Sequence, residues 1–304
     1  CIRDSMWAAS LRYHEGRFYI CFVANDTRKT YLYTSEKIDG PWKKQLIEGF
    51  YHDGSLLFDE DGRNYIVYGN DEIWITELNE DLTAPKKDGL HRLLVSDHKN
   101  PELGYEGSHI QKINGYYYIF LVHSLRDRWM RTEACFYSDS LEGEFTGGDV
   151  LCDDRGYCGQ GVAQGGIVDT PDGKWYAMLF QDSGAVGRIP ILLPVTWKDH
   201  FPFFGQNGHV PEEIEVHSTR PGYIYQPLVG SDDFCNGLLP RWQFNHDPDP
   251  RYYHLDALQG TYTITTREVC TELTQAVNTL TQRMSYPSLS LIHISEPTRH
   301  SLIS

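Results

Sequence analysis

Asp61-Gly62-Arg63-Asn64-Tyr65-Ile66-Val67-Tyr68 sets a Gly-centred polar turn directly ahead of an apolar run. An Asp-Gly pair supplies the positive φ that a tight hairpin requires, and the aromatic and β-branched residues after it fill a half-buried strand. The arrangement recurs as Glu15-Gly16-Arg17-Phe18-Tyr19, Asn114-Gly115-Tyr116-Tyr117-Tyr118 and Asp172-Gly173-Lys174-Trp175-Tyr176, with successive glycines 46, 53 and 58 residues apart. Apolar strands precede the turns, as in Ser55-Leu56-Leu57-Phe58 and Gly166-Ile167-Val168. Others follow them, as in Tyr118-Ile119-Phe120-Leu121, Ile73-Trp74-Ile75 and Ala134-Cys135-Phe136-Tyr137. Each repeat is thus a hairpin-centred sheet that cannot cover both of its faces alone. A period of about fifty residues predicts sheets stacked radially as the blades of a β-propeller, in preference to unrelated hairpins in a sandwich.

The composition agrees with an all-β chain. Of 304 residues 13% are aromatic, and 27 Gly and 15 Pro stand against four Met, which suits short strands and many turns. A formal charge of -15 repels phosphate backbones and anionic lipid, so neither nucleic acid nor a membrane surface is an expected partner. A neutral, hydroxyl-rich ligand suits it better. No apolar run reaches the roughly 18 residues of a membrane span.

The repeat stops after Phe204-Gly205, and Pro211 to Pro227 is rich in Pro, Gly and charge. Beyond it, Trp242-Gln243-Phe244 and Thr261-Tyr262-Thr263-Ile264-Thr265 read as strands of a second unit. The expected organisation is a propeller over 6–209, a linker over 210–231 and a partial β-sandwich over 232–288. Residues 1–5 and 289–304 are read as foreign tails. Leu289 to Arg299 resembles the translation of a transposase-type DNA sequencing adapter, and Cys1 to Ser5 that of its other strand. Six cysteines remain without Cys1. An even count permits disulfides, with Cys152 and Cys158 the first pair to consider, while buried free thiols are the simpler reading.

In a propeller the innermost strands line a central tunnel, so a site gathers acidic residues about one repeat apart. Asp53, in His52-Asp53-Gly54-Ser55, and Glu106, in Tyr105-Glu106-Gly107-Ser108, each stand nine residues ahead of their hairpin glycine. That spacing predicts equivalent points of successive blades. Asp59, Glu60 and Asp61 read as a turn and a solvated face. His14, His52, His109 and His123 could line the tunnel, although isolated histidines are more often structural.

These residues carry a family resemblance. Trp7-Ala8-Ala9-Ser10-Leu11-Arg12-Tyr13 is similar to the second-blade opening W-A-P-S-x-R-Y of glycoside hydrolase family 43, with Ala9 in place of Pro. Asp53-Gly54-Ser55-Leu56 followed by Phe58-Asp59-Glu60-Asp61-Gly62 resembles its D-P-S-x-F-x-D-D-G, with Gly54 in place of Pro. Tyr105-Glu106-Gly107 and Asn114-Gly115-Tyr116-Tyr117-Tyr118 resemble its E-G-P and N-G-Y-Y-Y. Gln164 to Thr170 and Gly184 to Pro190 resemble its fifth blade. The likeness covers about Met6 to Gly208, and Asp232 to Ser288 resembles the sandwich appended in its β-xylosidase and α-L-arabinofuranosidase branches.

The resemblance implies an all-β, five-bladed β-propeller lacking its first blade, followed by a partial β-sandwich. It also implies an inverting glycosidase acting on xylose- or arabinose-containing plant cell-wall polysaccharide or oligosaccharide, and an extracellular or periplasmic setting. Glu106 matches the general acid, whose proton must be retained near neutral pH, and Asp53 matches the neighbouring carboxylate that tunes it. Arg188 matches an arginine close to the sugar and the base. Trp7 is either a sugar-stacking platform or a core aromatic, and Gln164 either bonds sugar hydroxyls or satisfies buried backbone. The family's base, an Asp of the first blade, has no counterpart motif here; Asp4 lies in the adapter-like segment and is not assigned to it. The chain by itself is therefore expected to be inactive or nearly so. No cofactor and no metal-binding residues are expected; a structural calcium ion would suit so many carboxylates, but no EF-hand-type spacing supports one. Two other readings stand beside this one. They are a carbohydrate-binding propeller without catalysis, and another five-bladed class, either a fructan-cleaving hydrolase or a mannoside phosphorylase.

Overall fold

Each of the four Gly-centred turns opens a four-stranded antiparallel sheet in the computed structural model, which describes residues 6–216, 218, 220–245, 248–272 and 275–283. The tails read as foreign lie outside these residues. The first sheet is β1 (Met6–His14), β2 (Arg17–Ala24), β3 (Lys29–Ser35) and β4 (Lys43–Ile47). The second is β5 (Ser55–Phe58), β6 (Asn64–Asn70), β7 (Glu72–Leu78) and β8 (His91–Ser96). The third is β9 (Glu106–Ile113), β10 (Tyr116–Ser124), β11 (Arg131–Ser138) and β12 (Thr146–Leu151). The fourth is β13 (Ala163–Asp169), β14 (Trp175–Asp182), β15 (Arg188–Lys198) and β16 (Phe201–Phe204). Within each sheet the strands lie in chain order, so each connection is a simple reversal. The turn glycines take φ of 78° at Gly16, 81° at Gly62, 84° at Gly115 and 77° at Gly173, the left-handed geometry that the repeat predicts.

Alternation along the strands stacks the sheets. Successive side chains of a strand point to opposite faces, so β10 gives Tyr117, Ile119 and Leu121 to a core shared with Tyr65, Val67, Ile73 and Ile75 of the second sheet. Its other face gives Tyr118 and Phe120 to a core with Ile167, Ala177, Leu179 and Leu193 of the fourth. Ile66 of β6 turns the other way, onto Cys21, Leu32 and Ile47 of the first sheet. Each fully buried Ile, Phe or Leu in these layers contributes roughly 1.5–3 kcal/mol. The four sheets are thus arranged like blades of a propeller.

The first strands β1, β5, β9 and β13 are stitched to one another by polar bonds. Ser10 Oγ donates to Gly54 O at 2.8 Å, and Arg12 Nε to Leu56 O at 3.0 Å. The Ile110 N–H donates to Ser55 Oγ at 3.2 Å, and Gln111 Nε2 to Ile167 O at 2.8 Å. Arg12 also reaches Ile110 O at 3.0 Å, spanning three sheets.

Two expectations need correcting. Asp59 is buried, not solvated: its carboxylate takes Lys112 Nζ at 2.7 Å and the Tyr117 hydroxyl at 2.6 Å from the third sheet. Cys152 and Cys158 are free thiols, as in the simpler reading, but exposed rather than buried, with the Thr132 hydroxyl donating to Cys152 Sγ at 3.4 Å. Cys21 and Cys135 are buried thiols, which burial pushes upward to about 12 at Cys21.

The described residues divide into two compact units after Ser218. In the smaller one, β17 (Gln243–Phe244) and β20 (Leu280–Thr281) form one two-stranded sheet, and β18 (Tyr253–Asp256) and β19 (Thr261–Ile264) another. Trp242 Nε1 donates to Asp232 at 2.8 Å, and Phe234, Tyr253 and Tyr262 pack as an aromatic cluster.

Candidate active site

All four inner strands carry the same irregularity at their N-terminal end. In β1, Trp7 pairs with Val23 and Ser10 with Cys21, so three steps on one strand oppose two on the other. The same three-against-two step separates Glu106 opposite Val122 from His109 opposite Phe120, and Ala163 opposite Phe180 from Gly166 opposite Met178. Ahead of β5, Gly69 N–H donates to His52 O at 3.0 Å while Ser55 pairs with Val67, which is again three against two. Each is a β-bulge, a device that re-aims side chains at the rim of a sheet.

The bulge makes two rows of equivalent residues. Trp7, His52, Glu106 and Ala163 hold its first position, and Ala8, Asp53, Gly107 and Gln164 its second. The second row is left-handed throughout, with φ of 40°, 49°, 69° and 66°. For the three residues other than glycine that conformation costs on the order of 1–2 kcal/mol each. The equivalent of Glu106 is therefore His52, not Asp53 as the count to the turn glycine predicts. The turn between β5 and β6 is one residue longer than the Asn114-Gly115 turn, which shifts the count by one.

That offset brings the two carboxyl groups together. One oxygen of Asp53, one of Glu106 and one ring nitrogen of His52 all lie within 4.8 Å of one another. His52 Nε2 stands 3.7 Å from Asp53 Oδ1 and 3.7 Å from Glu106 Oε2. Asp53 is enclosed, its side chain 4% exposed, and its Oδ2 accepts the Gly107 N–H at 3.1 Å. Glu106 is more open and accepts Asn70 Nδ2 at 2.9 Å. Burial raises the Asp53 carboxyl above its usual range and Glu106 adds to the rise; His52, the Gly107 N–H and Arg188 oppose it. The His52 imidazole holds its proton above the usual value chiefly because of Glu106, with burial opposing and Asp53 assisting. Among the described residues these three also form the one His/Cys/Asp/Glu cluster close enough to share a cation.

The remaining predicted residues surround this cluster. The Trp7 ring lies 5.6 Å from that of His52 and is 41% exposed, so its face is not core. Gln164 projects over Gly107, where a Cβ would meet its Cγ at 2.7 Å, and its Nε2 stands 3.5 Å from Asp53 Oδ2. Only glycine fits beneath it. Arg188 is exposed, pairs with Asp182 at 3.2 Å and lies over the Phe180 ring at 4.4 Å.

Several participants were not singled out by sequence. Asn70, Arg131, Asp182 and Phe180 carry no local motif, and only their approach in space reveals them. Glu133, on β11, is fully buried, accepts the Gln164 N–H at 2.7 Å and is pushed far above the usual range by that burial. Of the histidines, His14 stacks on Phe58 at 4.5 Å and His123 bonds Asp149 at 2.8 Å. His109 lies deeper, against Gly166, and burial together with Arg12 lowers it to about 3.

Chemically, the rim offers a semi-exposed carboxyl beside a buried one, an imidazole between them, and an arginine and an indole at the edge. This is equipment for moving a proton next to a neutral polar ligand.

The chain is similar to known proteins in sequence and in fold. The sequence profile of Glycosyl hydrolases family 43 matches residues 2–202. A putative beta-xylosidase of Xylanibacter ruminicola is 28% identical over 95% of this chain and 56% of its own length. A beta-xylosidase of Formosa agariphila is 27% identical over 84% and 48%. The chain spans about half the length of these relatives. Among solved structures, a bifunctional GH43-CE protein of Bacteroides eggerthii superposes with a TM-score of 0.80 at 42% identity, over 93% of this chain and 37% of that one.

Proposed function

This chain belongs to glycosyl hydrolases family 43, and on that footing we propose that it is part of a glycosidase. Its substrates are xylose- or arabinose-containing plant polysaccharides or oligosaccharides, hydrolysed at the O-glycosidic bond with inversion. The observation that carries this reading is the convergence of Glu106 and Asp53 on one rim. Glu106, the more open of the two, is the general acid that protonates the leaving oxygen. Asp53, enclosed beside it and fixed by the Gly107 N–H, orients it. Trp7 offers a face for a sugar ring, while Gln164 and Arg188 supply donors to its hydroxyls.

The spacing bears on the stereochemistry. Working carboxyl pairs stand roughly 6.5–9.5 Å apart in inverting enzymes and about 5–5.5 Å apart in retaining ones. The short Asp53–Glu106 approach would suit retention only if Asp53 could attack the anomeric carbon. Its burial and its bond to the Gly107 N–H argue against that, so the base is a third carboxylate, from the family's first-blade motif.

The faces of the outer two sheets support a fifth blade. Leu11, Tyr13 and Leu46 of the first sheet are exposed beside the stacked Phe22, Tyr31 and Tyr33. Val168, Met178 and Phe203 of the fourth are exposed as well. One further sheet between these faces would close a ring and cover both. The short sheets after Asp232 are read as part of a β-sandwich. Polymeric substrates favour an extracellular or periplasmic setting; among the described residues no helix is long and apolar enough to cross a membrane.

The test is an assay of chromogenic xylosides and arabinofuranosides with a protein carrying the first-blade segment, following the product anomer by NMR. Release of the inverted sugar supports the proposal. Retention of configuration would reassign Asp53 as the nucleophile, and binding without turnover would favour a carbohydrate-binding propeller.

A further inference from the structure

Arg131 is a buried cation with no place in the roles assigned so far. Its side chain is 4% exposed at the start of β11, and burial lowers its hold on the proton. A methionine would pack there without the desolvation that a guanidinium costs. What the guanidinium does that an apolar chain cannot is donate in two directions. Its Nη1 gives a bond to Asp182 Oδ2 at 2.9 Å, and its Nη2 gives one to Gln164 Oε1 at 3.3 Å.

Both acceptors lead to Asp53. An amide can present either end, and a guanidinium that donates to Oε1 leaves only the Nε2 end of Gln164 to face Asp53. The Gln164 backbone is held in its left-handed conformation by the bond from its N–H to Glu133 Oε2. Asp182 divides its two oxygens between Arg131 and Arg188, and both guanidinium groups lie over the Phe180 ring, at 4.5 and 4.4 Å. Arg188 is in turn one of the charges that act on Asp53, together with His52 and Glu106.

We propose that Arg131 is a positioning residue for the carboxylate pair, aligning the Gln164 amide and the Asp182–Arg188 pair toward Asp53. The proposal rests on the reading of Asp53 and Glu106 as the working groups. Arg131 itself touches neither the sugar nor the reacting atoms. Lysine does not replace it, because a point charge cannot serve two acceptors through a rigid fork.

The alignment is measured on the present chain, independently of turnover. The Gln164 side-chain amide is followed by 15N NMR, assigned by its loss in Gln164→Leu, through a pH titration of Asp53 assigned with Asp53→Asn. In the unaltered chain the amide signals should sit apart from those of free glutamine and move with Asp53. In Arg131→Met they should collapse toward free-glutamine positions and stop following Asp53, while distant backbone signals stay in place. Arg131→Lys should fall between. Amide signals that still track Asp53 unchanged in Arg131→Met overturn the proposal. Should that variant not fold, Asp182→Asn loosens the same anchor from the surface side, and an unaltered Gln164 signal there counts equally against it. In a protein completed with the first blade, Arg131→Met should lower kcat about ten- to a hundred-fold with KM within about twofold. A completed protein without glycosidase activity would overturn the functional reading, while the amide signal still decides the place of Arg131.

Discussion

His52 and Glu106 occupy the same position in successive sheets, each the first residue of a bulge, with His52 Nε2 3.7 Å from Glu106 Oε2. The next residue along, Asp53, is left-handed and so turns its carboxylate onto the backbone N–H of its own equivalent, Gly107. A single repeated distortion of the inner strand thus delivers an imidazole and two carboxyl groups to one rim. The chemistry attributed to the rim depends on that repetition more than on any one motif.

Loss of the acid has a distinctive signature. In a completed enzyme, Glu106→Gln should reduce turnover about 100- to 10,000-fold on substrates with poor leaving groups and much less on activated ones. Equal losses on both classes would count against Glu106 as proton donor.

Gly107 is the point where three sheets meet, so the smallest side chain there should be felt. Gly107→Ala drives a methyl into Gln164 and strains a backbone at φ 69°. Destabilisation of about 1–3 kcal/mol is expected, together with displacement of Gln164 from Asp53. Denaturant melts and a crystal structure of the variant check both; an unmoved Gln164 would show that the contact is slack.

Glu133 should make stability fall as pH rises. Burial holds its folded-state pKa far above the unfolded one, so its contribution is fully present below the unfolded value, near 4.5, and is lost progressively at higher pH. Glu133→Gln keeps an acceptor for the Gln164 N–H without the ionisation. Thermal melts from pH 4 to 8 should show the variant gaining on the parent as pH increases, and parallel curves would contradict the assignment.

The Asp59–Lys112 pair behaves in the opposite sense. Burial alone would raise the Asp59 carboxyl, but the bonds from Lys112, Tyr117 and the Glu60 N–H prevail and hold it below the usual range. Its stabilisation is present above the unfolded value and lost as pH falls through the folded one. Lys112→Met leaves a buried carboxylate short of its cation and should cost on the order of 2–4 kcal/mol at neutral pH. Urea unfolding at pH 7 and pH 3 should show this cost shrinking at the lower pH.

How much of this could be read beforehand depended on range. The hairpins were legible because Gly16, Gly62, Gly115 and Gly173 encode a local backbone requirement, and the alternation in β6 and β10 encodes two-sided burial. Asp53 and Glu106 were legible as residues but misaligned by one, since a one-residue difference in turn length is invisible without strand pairing. Asp59 looked like a solvated turn because its partners, Lys112 and Tyr117, lie more than fifty positions away. Arg131, Asp182 and Phe180 gave no local signal at all, for their meaning arises only where β11 and β14 approach Gln164.

The convergence of Asp53 and Glu106 is tested most directly by titrating the His52 ring by NMR in the chain and in Glu106→Gln. The carboxylate beside it should place the His52 midpoint above 6.5 in the unaltered chain, and removing that charge should bring the midpoint down. A midpoint that is the same in both proteins would mean that residue 106 does not share the cleft, and the proposed acid and its modulator would have to be sought elsewhere.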